Sequence, residues 1–114
     1  MVAYVPEQGE VVWIDFEPQK GHEIKKKRPA LVISPRAYNQ KTNLALVMPI
    51  TSQIKGYPFE VSFDSTEIEG VILADHVRSL DWKARNAKKI THLPKNIIHE
   101  ALTKLAILVG WDTQ

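Results

Sequence analysis

The sequence consists largely of short apolar stretches, and several of them alternate with polar residues. In residues 10–16, for example, Val12, Ile14 and Phe16 occupy every second position. A period of two residues is that of a β-strand with one buried face. Further strands are predicted by the apolar stretches at residues 30–33, 44–50, 59–63 and 70–74. The last of these strands is expected to continue, with a bend, to Trp82.

A helix is clearly predicted only near the end of the sequence. Pro94 suits the first position of a helix, and apolar residues then recur at helical spacing from Ile97 to Val109, before Gly110. Many short strands followed by one amphipathic helix are typical of a small, mainly antiparallel barrel. The predicted fold class is therefore α+β but mainly β, with a small antiparallel barrel and a C-terminal amphipathic helix.

Length and charge restrict the domain organisation and the partners. The 114 residues, of which 44% are hydrophobic, fit one domain over residues 1–114 with a modest core. The formal net charge is only +2, so nucleic-acid binding would depend on local clusters of cations. Two such clusters are present: Lys20, Lys25, Lys26, Lys27 and Arg28 form the first, and Arg78, Lys83, Arg85, Lys88 and Lys89 form the second.

Several classes of site and location are disfavoured by the composition. The chain has no cysteine, and its four histidines, at positions 22, 76, 92 and 99, lack the close spacing of metal ligands. We therefore expect no metal site and no cofactor. No stretch approaches the roughly 20 apolar residues of a membrane helix, and the N-terminus does not resemble a secretion signal. A soluble, cytoplasmic protein that does not contact membranes is predicted.

A cation and two hydroxyl groups are predicted to lie at the ends of neighbouring strands. Arg28 lies where a charged segment enters the strand at residues 30–33, and its planar guanidinium matches the geometry of a phosphate. Thr51 and Ser52 follow the strand at residues 44–50, where hydroxyl and backbone N–H groups can donate to a phosphate. Ordinary roles remain open, namely a solvated cation and turn-forming hydroxyls.

Candidate proton carriers occur in two places. His22 and Glu23 belong to the charged segment, and Asp75 interrupts an apolar stretch next to His76. RNA can be cut without a metal if its 2′-hydroxyl loses a proton, the phosphate is stabilised and the leaving 5′-oxygen is protonated. These residue types can supply those functions. The alternatives are that His22 and Glu23 are solvated loop residues and that Asp75 is a structural partner of Arg78.

Ordered motifs make the sequence similar, along nearly its whole length, to the MazF/PemK (Kid) family of toxins. The matching stretches are residues 9–13, 21–23, 28–32, 49–52, 55–61, 73–82 and 84–85, together with Asn39. The resemblance implies an SH3-like barrel, a homodimer and ribosome-independent cleavage of single-stranded RNA at short sequences. It also implies 2′,3′-cyclic phosphate and 5′-hydroxyl ends, formed without a metal.

Residue roles can be carried over by position from this resemblance. Arg28 and Thr51 correspond to the central catalytic pair of the family. Glu23 matches a functionally important acidic position, His22 matches a histidine of the Kid-like branch, and Asp75 matches a catalytic acid/base position in that branch. RNA contacts are predicted for Lys20, Lys25, Lys26, Lys27, Ser52, Gln53, Lys55, His76, Arg78 and Arg85.

Two positions depart from the pattern of the family. Leu73 stands where Kid-like members have an arginine, so the acid role of that arginine would fall to Arg28. A guanidinium holds its proton firmly and is a poor acid. His76 stands where many relatives carry glutamine, which would affect base recognition or add a titrating group.

The predicted partner is a MazE-like antitoxin whose acidic, flexible segment competes with RNA for the same groove. Two rival functions are open. One is a gyrase-poisoning toxin on the same fold, but that branch relies on a Trp-Gly-Ile ending, whereas this chain ends in Gly110, Trp111, Asp112, Thr113 and Gln114. The other is an RNA-binding module that does not cleave.

Overall fold

The computed structural model describes residues 3–16 and 27–111. The described strands and helices follow one another as β1 (Glu10–Asp15), β2 (Lys27–Val32), α1 (Arg36–Thr42), β3 (Leu44–Thr51), β4 (Glu60–Ser62), β5 (Val71–Leu73), β6 (Arg78–Asp81), β7 (Lys88–His92) and α2 (Lys95–Leu108). All the strand pairs are antiparallel, in the order β4-β5-β3-β2-β1-β7. The predicted fold class, mainly β and antiparallel with a C-terminal helix, is confirmed.

The long strand β3 joins two segments of the sheet. Its first half, from Leu44 to Val47, pairs with β6, and its end, at Ile50 and Thr51, pairs with β5. Side chains from both segments meet in one core, because Leu31 of β2 and Ile72 of β5 belong to the same buried cluster. The strands therefore wrap around a common centre, and the path remains open between β4 and β7.

The alternation in β1, β2 and β3 produces two cores, one on each face of the sheet. Val11, Leu31 and Met48 are register neighbours on one face, and all three are fully buried. Helix α2 covers this face with Ile98 and Ala101. On the other face, the buried cluster is formed by Val12, Ile14, Phe16, Ala30, Val32, Ala45, Val47, Leu80 and Trp82. Burial of each large apolar side chain stabilises the fold by about 1.5–3 kcal/mol.

The predictions for secondary structure differ from the structure at four places. Helix α1 was not predicted, because its one buried side chain is the polar Asn39 and its sequence lacks an apolar period. Strand β7 was not predicted either, because an edge strand rich in lysine has little apolar alternation. Pro94 is the N-cap of α2 and not its first helical residue.

The fourth difference lies between β5 and β6, where one continuous strand was expected. A turn at Ala74 and Asp75 separates the two strands, and the backbone N–H of His76 donates to the carbonyl of Leu73 at 3.1 Å. The break sends β5 and β6 to different parts of β3. It also places Asp75 and His76 at a surface cleft.

Candidate active site

Two neighbouring cavities lie at the start of β2 and at the ends of β3 and β5. The smaller, of about 220 Å³, is lined by Phe16, Arg28, Pro49, Ile50, Thr51, Leu73, His76 and Arg78. The larger, of about 500 Å³, is lined by Thr51, Gln53, Lys55, Tyr57, Glu60, Leu73, Asp75 and His76. Because Thr51, Leu73 and His76 line both, the cavities form one groove. Ten of the predicted site residues are described, and seven of them line this groove: Arg28, Thr51, Gln53, Lys55, Asp75, His76 and Arg78.

Antiparallel pairing of β2 with β3 brings Arg28 and Thr51 together. Ala30 pairs with Pro49 and Leu31 with Met48, so Arg28, two residues before Ala30, and Thr51, two residues after Pro49, extend from the same end of this strand pair. Both side chains line the smaller cavity. Arg28 is exposed, which leaves its guanidinium available to an anion.

Thr51 combines the two roles that the sequence left open. Its Oγ1 accepts a hydrogen bond from the backbone N–H of Gln53 at 3.1 Å, as in a turn-forming threonine. A hydroxyl that accepts in this way still has its own proton to donate. Ser52, by contrast, is exposed and lines a different surface cavity together with Ile54, Phe63 and Gly70.

Arg78 adds a second cation to the smaller cavity. Its guanidinium carbon lies 5.4 Å from the centroid of the Phe16 ring, a cation–π distance. Phe16 thus holds Arg78 on the wall that also contains Arg28. Two permanently charged guanidinium groups in a small cavity favour a phosphate-sized anion.

The larger cavity contains the candidate carboxylate and a cation. Asp75 lies in the turn after β5, and its Oδ1 is 3.6 Å from Nε2 of His76. Lys55 and Gln53 line the same cavity and come from the segment that follows β3. Among the described residues, the hydrogen-bond donor to Asp75 is Tyr57, at 2.7 Å, and not Arg78.

Tyr57 and Glu60 are groove residues that the sequence reading missed as functional candidates. They lie in and after the stretch at residues 55–58, which the sequence indicated only as a turn. Partial burial and, after it, the hydrogen bond to Asp75 raise the pKa of Tyr57 to about 12. The phenol therefore stays protonated at neutral pH and acts as a donor.

Arg85 lies outside the lining of both cavities in the described part of the chain. Its Nη1 donates to the backbone carbonyls of Asp15, at 3.0 Å, and Phe16, at 2.6 Å. The guanidinium thereby holds the end of β1, next to the Phe16 ring that contacts Arg78. This is a structural role, and the RNA contact predicted for Arg85 stays a prediction.

The remaining predicted residues of the charged segment are largely outside the described residues. This applies to Lys20, His22, Glu23, Lys25 and Lys26. Lys27 is described as the exposed first residue of β2, paired in register with Asp15 of β1.

The described residues contain neither a cluster of metal ligands nor a membrane-spanning helix. Across residues 3–16 and 27–111, no group of three or more His, Asp or Glu side chains is arranged to hold a metal ion. No helix within these ranges has the length and apolar character needed to cross a membrane.

Gly70 determines how closely β5 can approach the site. Its φ is +135°, and a Cβ added there would overlap the carbonyl oxygen of Thr51. We expect Gly70→Ala to lower the free energy of unfolding by at least ~2 kcal/mol, because it combines backbone strain with a backbone clash. Urea denaturation measures the change.

Gly56→Ala is the matched control for this prediction. Gly56 also has a positive φ, of +80°, but an added Cβ would meet no atom within 4 Å. The free energy of unfolding of Gly56→Ala should therefore fall only by the backbone strain, about 1 kcal/mol. Equal losses in the two variants would contradict the proposed clash with Thr51.

Comparison with known proteins identifies the family to which this geometry belongs. The sequence model of the family described as "PemK-like, MazF-like toxin of type II toxin-antitoxin system" matches residues 7–109. The chain belongs to this family. The predicted resemblance to MazF/PemK toxins is therefore confirmed.

Individual members of the family are similar over nearly their full length. The endoribonuclease toxin MazF of Escherichia coli (strain K12) is 45% identical over 107 residues, which cover 94% of this chain and 96% of the relative. The endoribonuclease PemK of Escherichia coli is 35% identical, covering 90% and 81%.

Solved structures of family members agree with the fold. A chain of the MazE–MazF crystal structure (Form-II) from Deinococcus radiodurans superposes with a TM-score of 0.90 at 48% identity, covering 96% of this chain and all of that one. MazF (Form-I) from the same organism gives a TM-score of 0.85 at 49% identity. The toxin fold is thus shared along 95% or more of the present chain.

Proposed function

We propose that this chain is the endoribonuclease toxin of a toxin–antitoxin pair and cleaves single-stranded RNA, including mRNA, by using the RNA's own 2′-hydroxyl. The attack on the adjacent phosphorus breaks the bond to the 5′-oxygen, giving a 2′,3′-cyclic phosphate and a 5′-hydroxyl end. The observation that carries this proposal is that Arg28 and Thr51 line one small cavity together with Arg78. The endoribonuclease names of the relatives support it.

The smaller cavity binds the scissile phosphate, and the larger cavity contains the candidate base. In the smaller one, Arg28 stabilises the charge of the phosphate in the transition state, and the Thr51 hydroxyl donates to a phosphate oxygen. Arg78 supplies a second charge beside Leu73, the position where Kid-like members have an arginine. The scissile phosphate then lies near the boundary with the larger cavity, where Asp75 and His76 are found.

Asp75, Glu23 or His22 is the base that takes the proton from the 2′-hydroxyl, and the acid role, protonation of the leaving 5′-oxygen, falls to Arg28. Asp75 lines the groove, and its carboxylate is partly exposed. Glu23 and His22 lie outside the described residues, so their roles are carried over from the family resemblance. Lys55, Gln53 and His76 hold flanking nucleotides through charge and base-edge contacts.

The proposed partner is a MazE-like antitoxin. The relatives from Deinococcus radiodurans include MazE–MazF complexes. In this chain Arg28, Arg78 and Lys55 line one groove, so an acidic, flexible antitoxin segment would compete there with RNA. RNA cleavage would inhibit translation until the antitoxin occupies the groove.

A homodimer is also proposed. The end of α2 and the residues after it expose four large apolar side chains, namely Ile107, Leu108, Val109 and Trp111. Trp111 is 71% exposed in the single chain, and an aromatic side chain of this size is typical of a protein–protein interface. A second copy would remove these side chains from water.

The proposed function is tested by incubating the purified protein with a long, unstructured RNA in EDTA and mapping the ends of the fragments. We expect discrete cuts whose upstream fragments end in a 2′,3′-cyclic phosphate and whose downstream fragments begin with a 5′-hydroxyl. Cleavage that requires added Mg²⁺, or fragments with 5′-phosphates, would contradict the 2′-hydroxyl mechanism. An intact RNA that still binds the protein would favour the non-cleaving module.

A further inference from the structure

Tyr57 makes a direct contact with the candidate acid/base residue that the proposed mechanism does not use. Its hydroxyl donates to Oδ1 of Asp75 at 2.7 Å, although the two residues are 18 positions apart in the chain. Tyr57 precedes β4, and Asp75 follows β5. The pairing of Glu60 with Leu73, together with the hydrogen bond from Ala74 N–H to the carbonyl of Phe59, at 3.0 Å, brings the two turns together.

The turn that carries Tyr57 is itself held in one conformation. The carboxylate of Glu60 accepts hydrogen bonds from the backbone N–H groups of Lys55 and Gly56, both at 2.9 Å. Gly56 has a φ of +80°, a conformation that glycine adopts without strain. From the other side, Nζ of Lys104 in α2 donates to the carbonyl of Glu60 at 2.9 Å. Hydrogen bonds on both sides of the turn therefore hold the backbone that positions the Tyr57 phenol next to Asp75.

The contact leaves one carboxylate oxygen of Asp75 for the groove. Among the described residues, both polar contacts of the carboxylate are made by Oδ1, with Tyr57 and with His76. Because one carboxylate oxygen can accept more than one hydrogen bond, Oδ1 can make both contacts, and Oδ2 remains available for a substrate proton. The raised pKa of Tyr57 keeps its proton on the phenol throughout the neutral range, so the donor is always present.

We infer that Tyr57 is a positioning residue for RNA cleavage: its hydroxyl fixes the rotamer of Asp75 so that Oδ2 faces the boundary between the two cavities. This inference rests on the proposed function and deepens it. A general base acts only within hydrogen-bond reach of the proton it removes, so a carboxylate that rotates between orientations is in place for a smaller share of the time. Tyr57 acts through Asp75 and does not itself react.

The test uses Tyr57→Phe, which removes one hydroxyl and retains the ring. We expect the single-turnover cleavage rate at saturating protein to fall about tenfold. The dissociation constant for an RNA that carries a 2′-deoxy substitution at the cleavage site should change by less than about twofold, because the ring and the cations of the groove are retained. Tyr38→Phe makes the same chemical change at an exposed position on α1 and should retain the wild-type rate.

A double-mutant cycle with Asp75→Asn separates positioning from general loosening of the turn. If Tyr57 acts through Asp75, adding Tyr57→Phe to Asp75→Asn should change the residual rate by less than about twofold. A further tenfold loss in that background would overturn the inference, as would a Tyr57→Phe variant that cleaves at the wild-type rate. A loss of both RNA affinity and thermal stability in Tyr57→Phe would also overturn the inference, since that pattern indicates that the hydroxyl only stabilises the fold.

Different results would overturn the proposed RNA cleavage and the positioning role of Tyr57. A wild-type protein that does not cut RNA would overturn the proposed function, and this inference with it. An active wild type with an equally active Tyr57→Phe variant would overturn the inference alone. An unchanged rate in Asp75→Asn would show that the carboxylate has no catalytic part, and would likewise remove the role of Tyr57 while leaving RNA cleavage established.

Discussion

Replacing Arg28 with alanine is expected to lower the single-turnover rate of RNA cleavage by roughly 100- to 1000-fold, the range seen when one preorganised transition-state donor is removed. Arg28 and Thr51 line the smaller cavity, where the charge on the phosphate would develop. The loss should fall on the rate more than on binding, because Arg78 and Lys55 still attract the backbone of the RNA.

The stability of the Arg28→Ala variant should remain close to that of the wild type. The Arg28 side chain is exposed and contributes little to either core, so its removal leaves packing intact. Arg36→Ala is a suitable control, since it removes the same charge from an exposed position at the start of α1, outside the lining of both cavities. We expect this control to cleave at nearly the wild-type rate.

Arg28→Lys distinguishes a general charge effect from the geometry of the guanidinium. Lysine keeps the charge but cannot present two parallel N–H donors to a phosphate. We expect an intermediate rate, still at least ~10-fold below the wild type. If Arg28→Ala and Arg36→Ala were equally active, the placement of the transition-state phosphate in the smaller cavity would be wrong.

The pairing of Arg28 with Thr51 is the part of the candidate site that sequence predicts best. Alternation and strand breaks locate β2 and β3, and each candidate lies near the end of one of them. Antiparallel neighbours bring such ends together. The register of β2 and β3, and the cavity that both residues line, are properties of the folded chain and are visible only in the structure.

Contacts made by turns were much harder to predict. The hydrogen bond between Tyr57 and Asp75 depends on two turn conformations and on the pairing of β4 with β5. Sequence indicated a turn at residues 55–58 and an unexplained carboxylate at Asp75, but nothing in a hydrophobic pattern links the two. The contact between Arg78 and the Phe16 ring is long-range in the same way.

Helix α1 shows that a buried polar residue can organise a segment that lacks an apolar pattern. Asn39 is fully buried, and its Nδ2 donates to the carbonyls of Pro6, at 2.9 Å, and Ser34, at 3.1 Å. Its Oδ1 accepts from Oγ of Ser34 at 2.5 Å. In addition, the indole N–H of Trp82 donates to the backbone carbonyl of Asn39 at 2.9 Å. One side chain thus connects the N-terminal segment, the β2–α1 connection and α1.

Asn39→Ala is therefore expected to lower the free energy of unfolding by about 3–4 kcal/mol. The substitution removes three side-chain hydrogen bonds and leaves buried carbonyl groups of Pro6 and Ser34 without that donor, and each unsatisfied buried group costs about 1–3 kcal/mol. The midpoint of thermal unfolding should fall by roughly 10–15 °C.

Gln40→Ala, at the next and exposed position of α1, should change stability by less than about 0.5 kcal/mol. Urea and thermal unfolding, at one fixed protein concentration because a dimer's stability depends on it, measure both variants. Equal stability of Asn39→Ala and Gln40→Ala would show that water replaces the amide at this site, and that apolar packing alone holds α1 against the sheet.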